Sequence, residues 1–522
     1  MTTEATTRSS ASGRPVVDTT SGPVRGVDDG IVQSWRGVPY AAAPVGELRW
    51  RAPEAPRAWR EPFDASRVGA VCPQPTDPKI PLDLGAPQGE DFLTLNVWAP
   101  TGTRPGDRKP VMVWVHGGAY VLGSASQPLY HGRRLAAGGD VVVVTVNYRL
   151  GALGFLELST LDDSGRFATN LGLRDVLAAL NWVRDNIAAF GGDPGRVTLF
   201  GESAGGGIVT TLLGSPAAAG LFGAAIAQSS PVTSIYDTGR AQRVAERFVE
   251  VLGVDRGDLG TLTSAPIEAL VSASRTVFDE VPVRTPGTLA FAPTVDGDLV
   301  PDYPVNLAKK GLTHPVPLII GTNKNEAALF RYMKSPLMPI APETIKAMFA
   351  EIAAEQPSLR LPSEKELKGT YRGRGKGHGL LVTSDLGFRM PSLWFADGHR
   401  DVAPVYLYRF DFATPLLRAV RLHAAHATEL PFVWGNFGSG RKDPTFALGG
   451  RKAGTAVSER MRTRWVNFAR HGDPLGLFGD PKWRPYDADR RATLVIDKRD
   501  SVVDDLDAGA RRAWDDDVLS FR

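Results

Sequence analysis

The sequence predicts an α/β protein: a large, mostly parallel central sheet with helices on both faces and helical insertions over one sheet edge. Three observations carry this. Pro110-Val-Met-Val-Trp-Val and Val141-Val-Val-Val-Thr-Val-Asn-Tyr are near-continuous apolar runs, and strands apolar on both faces belong inside a covered parallel sheet. Helical periodicity alternates with them. Over Asn170–Phe190, residues Leu173, Val176, Leu177, Leu180, Val183 and Ile187 recur at three-to-four spacing until Gly191-Gly192 stop the run. Finally, the short apolar run Val197–Phe200 reads as a buried strand. It breaks at Gly201-Glu202-Ser203-Ala204-Gly205 and gives way to helix-forming apolar residues from Ile208.

In chain order, residues 1–15 are rich in Thr, Ser and Gly and read as a disordered tail, with residues 16–522 as a single domain. Short alternating segments from Val16 to Val32 suggest a small antiparallel start. Val71–Gly89 is Pro-rich and reads as a long loop of the functional or lid type. Leu93-Thr-Leu-Asn-Val-Trp is a strand, followed by the two apolar strands and the elements around Ser203. Val316-Pro-Leu-Ile-Ile-Gly and Val405-Tyr-Leu-Tyr-Arg-Phe read as further core strands. Between them, from Ser335 to Gly398, lies a helical segment broken by a basic Gly-rich stretch, Gly369–Gly379. That stretch lacks the Walker spacing and follows no strand, so it reads as a surface loop and not a phosphate cradle. No internal repeat and no interdomain linker is visible.

Composition removes several classes. The 60 basic and 57 acidic residues leave a formal charge of only +3 among 522 residues, which is no nucleic-acid footprint. A lone cysteine, Cys72, excludes an internal disulfide. Neither a secretion-type apolar segment nor an apolar run of membrane length occurs, so a soluble, cytoplasmic protein without membrane or nucleic-acid partners is expected.

The chemistry is read from the break after Phe200. A G-x-S-x-G sequence between strand and helix is the context of a nucleophile elbow. The turn is so tight that positions two away from the serine need glycine, and the Ser203 hydroxyl is lifted above the sheet. Val115-His116-Gly117-Gly118-Ala119-Tyr120 ends a core strand with small residues, so its backbone N–H groups can approach an oxyanion closely. A base is to be sought among eight histidines. In α/β-hydrolases acid and base follow the serine in the chain. His116 and His131 are thereby excluded, and His314, His378, His399, His423, His426 and His471 stay open. His423-x-x-His426 without further Cys or His ligands is weak evidence for a metal.

Beyond these residues the chain resembles the type-B carboxylesterases, the cholinesterase and para-nitrobenzyl esterase family. The resemblance runs from Gly22 to Tyr486 through Gly37-Val-Pro-Tyr-Ala, Pro44-Val-Gly-Glu-Leu-Arg-Trp, Glu90-Asp-Phe-Leu-Thr-Leu-Asn-Val-Trp and Val146-Asn-Tyr-Arg-Leu-Gly. It continues through Asn170-Leu-Gly-Leu-Arg-Asp, Phe200-Gly-Glu-Ser-Ala-Gly-Gly, Phe291-Ala-Pro-Thr-Val-Asp-Gly, Gly321-Thr-Asn-Lys-Asn-Glu and Glu429-Leu-Pro-Phe-Val-Trp-Gly.

The resemblance implies an α/β-hydrolase fold and a serine hydrolase cleaving carboxylic esters through an acyl-enzyme. It needs an ester substrate and water, and neither cofactor nor metal. It implies Ser203 as nucleophile, Glu326 as acid and His426 as base, with oxyanion donors from Gly118, Ala119 and Ala204. Glu202 matches the family's acidic neighbour of the serine. Arg149 with Asp175, and Arg49 with Glu90, match structural ion pairs. Gly117-Gly118-Ala119-Tyr120 resembles the GGG(A)X signature associated with bulky and tertiary-alcohol esters. Three positions depart from the pattern: Phe92 replaces the cysteine that pairs in secreted members, Ala327 follows the acid where glycine is usual, and His423 stands where glycine often precedes the base. The same triad also serves acyl transferases and thioesterases, and the family includes non-catalytic binding members. The pocket residues are expected from the loops around Pro73–Gly89, Ser230–Tyr236 and Leu329–Gly398.

Overall fold

A computed structural model describes residues 14–76, 82–371, 376–437, 443–515 and 518–521. Most of the expected tail, and parts of the Pro73–Gly89 loop and of the Gly369–Gly379 stretch, lie outside the described residues.

An eleven-stranded sheet organises the chain. From one edge to the other its strands are Ser501–Val503, Thr493–Ile496, Val405–Phe410, Leu318–Asn323, Ala224–Gln228, Gly192–Glu202, Lys109–Val115, Val142–Val146, Thr94–Pro100, Val32–Pro39 and Val27–Asp28. The strands from Thr493–Ile496 to Val142–Val146 run parallel. Those outside them, at both edges, pair antiparallel. A second, three-stranded sheet joins Val16–Thr19, Gly22–Arg25 and Phe63–Asp64, and its first pair is the antiparallel start read from the sequence.

The apolar runs become strands because both of their faces are covered. Along the two central strands, Val113, Val115 and Leu199 enter the core on one side, while Met112, Trp114 and Phe200 enter the core on the other. The second core is aromatic: Trp114 packs on Phe200 at 4.8 Å and edge-on to Trp434 at 5.3 Å. The periodic stretch forms the helix Leu171–Asn186, continued by a 3-10 turn to Phe190 that Gly191 ends at φ 81°. Its inner face carries Asp175, whose carboxylate takes the Arg149 guanidinium at 2.7 Å with both side chains fully buried. The expected helical insertion is present as helices Pro342–Glu355, Glu364–Thr370, Lys376–Ser384 and Met390–His399. Between the last two lies a π turn, Asp385–Arg389.

Register then places the site. Val115 pairs with Gly201, Glu202 with Gln228, and Gln228 with Gly321. Four adjacent parallel strands therefore end together, and each delivers a loop to one edge: 116–120, Ser203, Ser229 and Glu326. Open parallel sheets place their sites outside these carboxyl ends.

Candidate active site

The strand Gly192–Glu202 passes into the helix Ala204–Leu212 at Ser203 with no spacer. The helix thus starts earlier than Ile208, because burial of the whole segment overrides the poor helix propensity of Gly205–Gly207. Ser203 has φ 56° and ψ −125°, a positive-φ backbone uncommon for a residue with a side chain. Its N–H donates to Gln228 O at 2.9 Å, and Gly207 N–H donates to Ser203 O at 2.8 Å. A Cβ at Gly205 would stand 2.1 Å from Val115 O, so glycine is what lets the helix close on the neighbouring strand. Between Val197 and Ser215, Ser203 alone is not fully buried.

The loop after Val115 lies directly on this turn. A Cβ at Gly117 would meet Glu202 O at 2.7 Å and Ser203 Cβ at 3.0 Å. Gly118, Ala119 and Tyr120 follow with φ 122°, 53° and 61°. Among the described residues the N–H groups of Gly118 and Ala119 find no backbone acceptor. Ala204 opens its helix, so its N–H has no intrahelical acceptor either. Unpaired backbone donors next to a partly open serine are what an oxyanion site requires.

Glu326 and His426 meet beside it. His426 Nδ1 lies 2.7 Å from Glu326 Oε2. An ionised carboxylate only accepts, so Nδ1 carries the proton and Nε2 is the free base in the neutral ring. The other Glu326 oxygen accepts from Ser229 Oγ at 2.7 Å and from Asn323 N–H at 2.6 Å. Nε2 faces the elbow, 3.2 Å from Glu202 Oε1. That contact is an ion-pair distance without hydrogen-bond alignment, since Glu202 Oε1 has no hydrogen-bond partner. Ser203 Oγ makes no hydrogen bond among the described residues, so Nε2 and the hydroxyl are not yet joined in this conformation. Such contacts often tighten only with substrate bound.

Three buried carboxylates set the electrostatics. Burial alone would lower His426, but facing Glu202, Glu326 and Glu429 outweigh it and raise the imidazole to about 9. Burial pushes Glu202 up to about 8, with Glu429 and Glu326 adding to the rise and His426 opposing it. Glu429 is also raised by burial. It is held by Gln228 Nε2 at 3.1 Å and by a short bond from Asn323 Nδ2. Trp465 Nε1 fixes Gln228 in turn at 3.1 Å.

The imidazole is also held by rings. Phe388 lies 4.6 Å from it and Phe330 5.3 Å, with the two phenyl rings stacked 6.2 Å apart. Phe388 comes from the π turn, where Arg389 binds Asp507 and donates to Thr322 Oγ1 and Tyr408 O. Asp385 of the same turn accepts from Tyr371 Oη at 2.5 Å. Beside the turn, a cleft is lined by Thr233, Ser234, Tyr236, Met338, Leu386 and Phe521. Its lining draws on two of the three loops expected to shape the pocket.

Of the histidines left open by the sequence, His426 alone contacts a carboxylate among the described residues. His423 is exposed, and its φ of 56° explains why glycine is common there in the family. Ala327 begins the helix Ala327–Met333 with its N–H on Ser384 Oγ at 3.0 Å, so the position needs no glycine. Arg49 reaches Glu90 at 2.8 Å away from the site. Cys72 is buried and free, and burial pushes its thiol far up, which makes it inert. Among the described residues no group of three His, Cys, Asp or Glu is placed for a metal ion.

Ser229, Gln228, Asn323, Glu429, Phe330 and Phe388 are contributors that the sequence reading did not single out. One of them left a trace: Glu429 stands three residues after His426.

A parallel sheet whose adjacent strands bring an elbow serine, a Glu-bound histidine and a small-residue loop to one edge defines a hydrolase of the α/β-hydrolase fold. The chain belongs to the carboxylesterase family, whose profile matches residues 13–514. It is 36% identical to the para-nitrobenzyl esterase of Bacillus subtilis (strain 168), over 95% of this chain and 98% of that protein. It is 33% identical to the phenmedipham hydrolase of Pseudarthrobacter oxydans, over 94% and 97%. Among solved structures, a thermophilic para-nitrobenzyl esterase superposes with a TM-score of 0.84 at 34% identity, covering 96% of this chain and all of that one. A carboxylesterase of Geobacillus stearothermophilus gives 0.83 at 36%, with the same coverage. The protein is a carboxylic-ester hydrolase.

Proposed function

We propose that Ser203, His426 and Glu326 form the catalytic triad, and that the N–H groups of Gly118, Ala119 and Ala204 form the oxyanion hole. The observation that carries this reading is the single buried histidine held between Glu326 and the elbow. His426 Nε2 takes the Ser203 proton as Oγ attacks the ester carbonyl, giving a tetrahedral oxyanion opposite the three N–H groups. The C–O bond to the alcohol then breaks, and the alcohol leaves with the proton from Nε2. Water, deprotonated by Nε2, attacks the acyl-enzyme and releases the carboxylic acid. Glu326 orients the ring and offsets the imidazolium, as Ser229 and Asn323 keep its second oxygen occupied.

The substrates are small esters taken in a pocket that includes the cleft beside the π turn, and the Gly117–Tyr120 loop accommodates bulky and tertiary-alcohol esters. The protein acts as a single domain, in the cytoplasm. Among the described residues no helix is long and apolar enough to cross a membrane.

The test is para-nitrophenyl acetate and butyrate hydrolysis by wild type, Ser203→Ala, His426→Ala and His423→Ala. Loss of roughly 10⁴-fold or more in kcat for the first two variants, with His423→Ala near wild type, is expected. Turnover retained by Ser203→Ala would overturn the assignment. A tert-butyl ester left intact where the ethyl ester is cleaved would remove the tertiary-alcohol part alone.

A further inference from the structure

The two segments that carry the acid and the base to the sheet edge are unusually basic. Residues 324–334 and 405–423 contain Lys324, Arg331, Lys334, Arg409, Arg418 and Arg421, with Glu326 and Asp411 as the only acids. The whole chain is nearly balanced, at 60 basic to 57 acidic residues, so the excess is local. Glu326 is buried and bound to His426. Asp411 is consumed by Arg409 at 2.7 Å and by Lys324 at 2.9 Å. Arg331, Lys334, Arg418 and Arg421 are exposed and have no carboxylate partner among the described residues.

Their place matters more than their number. Arg331 follows Phe330, whose ring touches the His426 imidazole, so its Cα lies ~3.8 Å along the chain from a residue of the site. Its guanidinium donates to Arg421 O at 3.2 Å, which ties the two segments together. Arg421 and His423 both have left-handed backbones, φ 60° and 56°, in the stretch that leads directly to His426. Lys334 caps the C-terminus of the helix Ala327–Met333, where a cation also answers the helix dipole. Arg331 and Arg418 stand in the last turns of their helices, where the dipole also favours a cation, and Arg421 has no such account.

We propose that this rim selects esters bearing a carboxylate elsewhere in the molecule, drawing the anion to the Arg331–Arg421 pair while the ester reaches Ser203. The inference rests on the ester-hydrolase reading above. Unpaired guanidinium groups present planar pairs of donors that match a carboxylate, and a one-signed rim raises local anion concentration in a salt-dependent way.

The test compares mono-para-nitrophenyl glutarate, with its free carboxylate, and the methyl-capped diester of the same skeleton. The measure is the ratio of their kcat/KM values in wild type, Arg331→Gln/Arg421→Gln and a charge-matched control, Lys482→Gln/Arg484→Gln, at exposed positions outside both segments. The ratio is expected to fall about tenfold in the rim variant, to hold in the control, and to fall in wild type as ionic strength rises. A ratio unchanged in the rim variant overturns the proposal, and an equal fall in the control overturns it in favour of net charge. Hydrolysis of the capped diester that survives Ser203→Ala instead overturns the parent reading, a different result from either.

Discussion

Glu202 is the residue whose environment says most about how the base is tuned. Its carboxylate faces His426 Nε2 at 3.2 Å from a fully buried position, and it is one of three carboxylates that raise the imidazole to about 9. His426 is the proposed base, and a base works only when unprotonated, so activity is expected above its folded pKa and is lost as pH falls through it. Glu202→Gln removes the foremost of the raising charges and leaves the shape. The acidic limb of the kcat/KM profile is therefore expected to move to lower pH, and a limb that stays in place would detach Glu202 from the base. Ser229 acts one bond further out. Ser229→Ala removes one of three hydrogen bonds on Glu326, and a loss of about 1–3 kcal/mol of support is expected. It should be read as a fall of roughly ten- to hundredfold in kcat with KM little changed. The serine and its glycines were legible in the sequence because a tight turn makes a local steric demand. Ser229 was not, since only the pairing of Ala224–Gln228 with Leu318–Asn323 brings it to Glu326.

At the scale of elements, the π turn Asp385–Arg389 is the piece that local sequence hides. No propensity marks an i→i+5 turn, and its extra residue lets the backbone send side chains to two places. Asp385 and Arg389 go to Tyr371 and Asp507, while Phe388 goes to the face of His426. Phe388 is 4% exposed, so Phe388→Ala leaves a cavity against the base and is expected to cost about 3–5 kcal/mol of stability. It should also lower kcat more than it raises KM, with Phe388→Leu recovering most of both. Denaturant unfolding and steady-state kinetics on the same samples check this. The strands Leu318–Asn323 and Val405–Phe410 were readable as apolar runs, and they carry the loops of Glu326 and His426. Periodicity says that such strands are buried but not which lie side by side. For that reason the proposed acid and base were distinguishable from other residues only through the family resemblance.

For the molecule as a whole, the expected α/β-hydrolase architecture follows from strands apolar on both faces, and its tolerance to change is decided where a polar group is locked within it. Arg149 is the strongest case. It stands just after the strand Val142–Val146, fully buried, and bonds Asp175 of the helix Leu171–Asn186 through Nε at 2.8 Å and Nη2 at 2.7 Å. Its other arm donates to Arg49 O at 3.2 Å and Arg51 O at 2.8 Å, so one guanidinium joins strand, helix and an N-terminal loop. Asp175 accepts the Arg149 N–H as well, at 2.9 Å. Asp175→Asn keeps the size but leaves a cation without its counter-charge in the interior. Breaking one side of a buried pair is destabilising by about 3–5 kcal/mol, whereas replacing both partners by apolar groups of matching volume can be nearly neutral. The expected outcome is a lower denaturation midpoint for Asp175→Asn and a smaller loss for Arg149→Met/Asp175→Leu, with kcat per folded molecule unchanged in both because neither residue approaches Ser203. Should the double variant be the less stable one, the backbone bonds of Arg149 to the Arg49–Arg51 loop outweigh the ion pair, and the guanidinium is an anchor for the chain first and a counter-charge second.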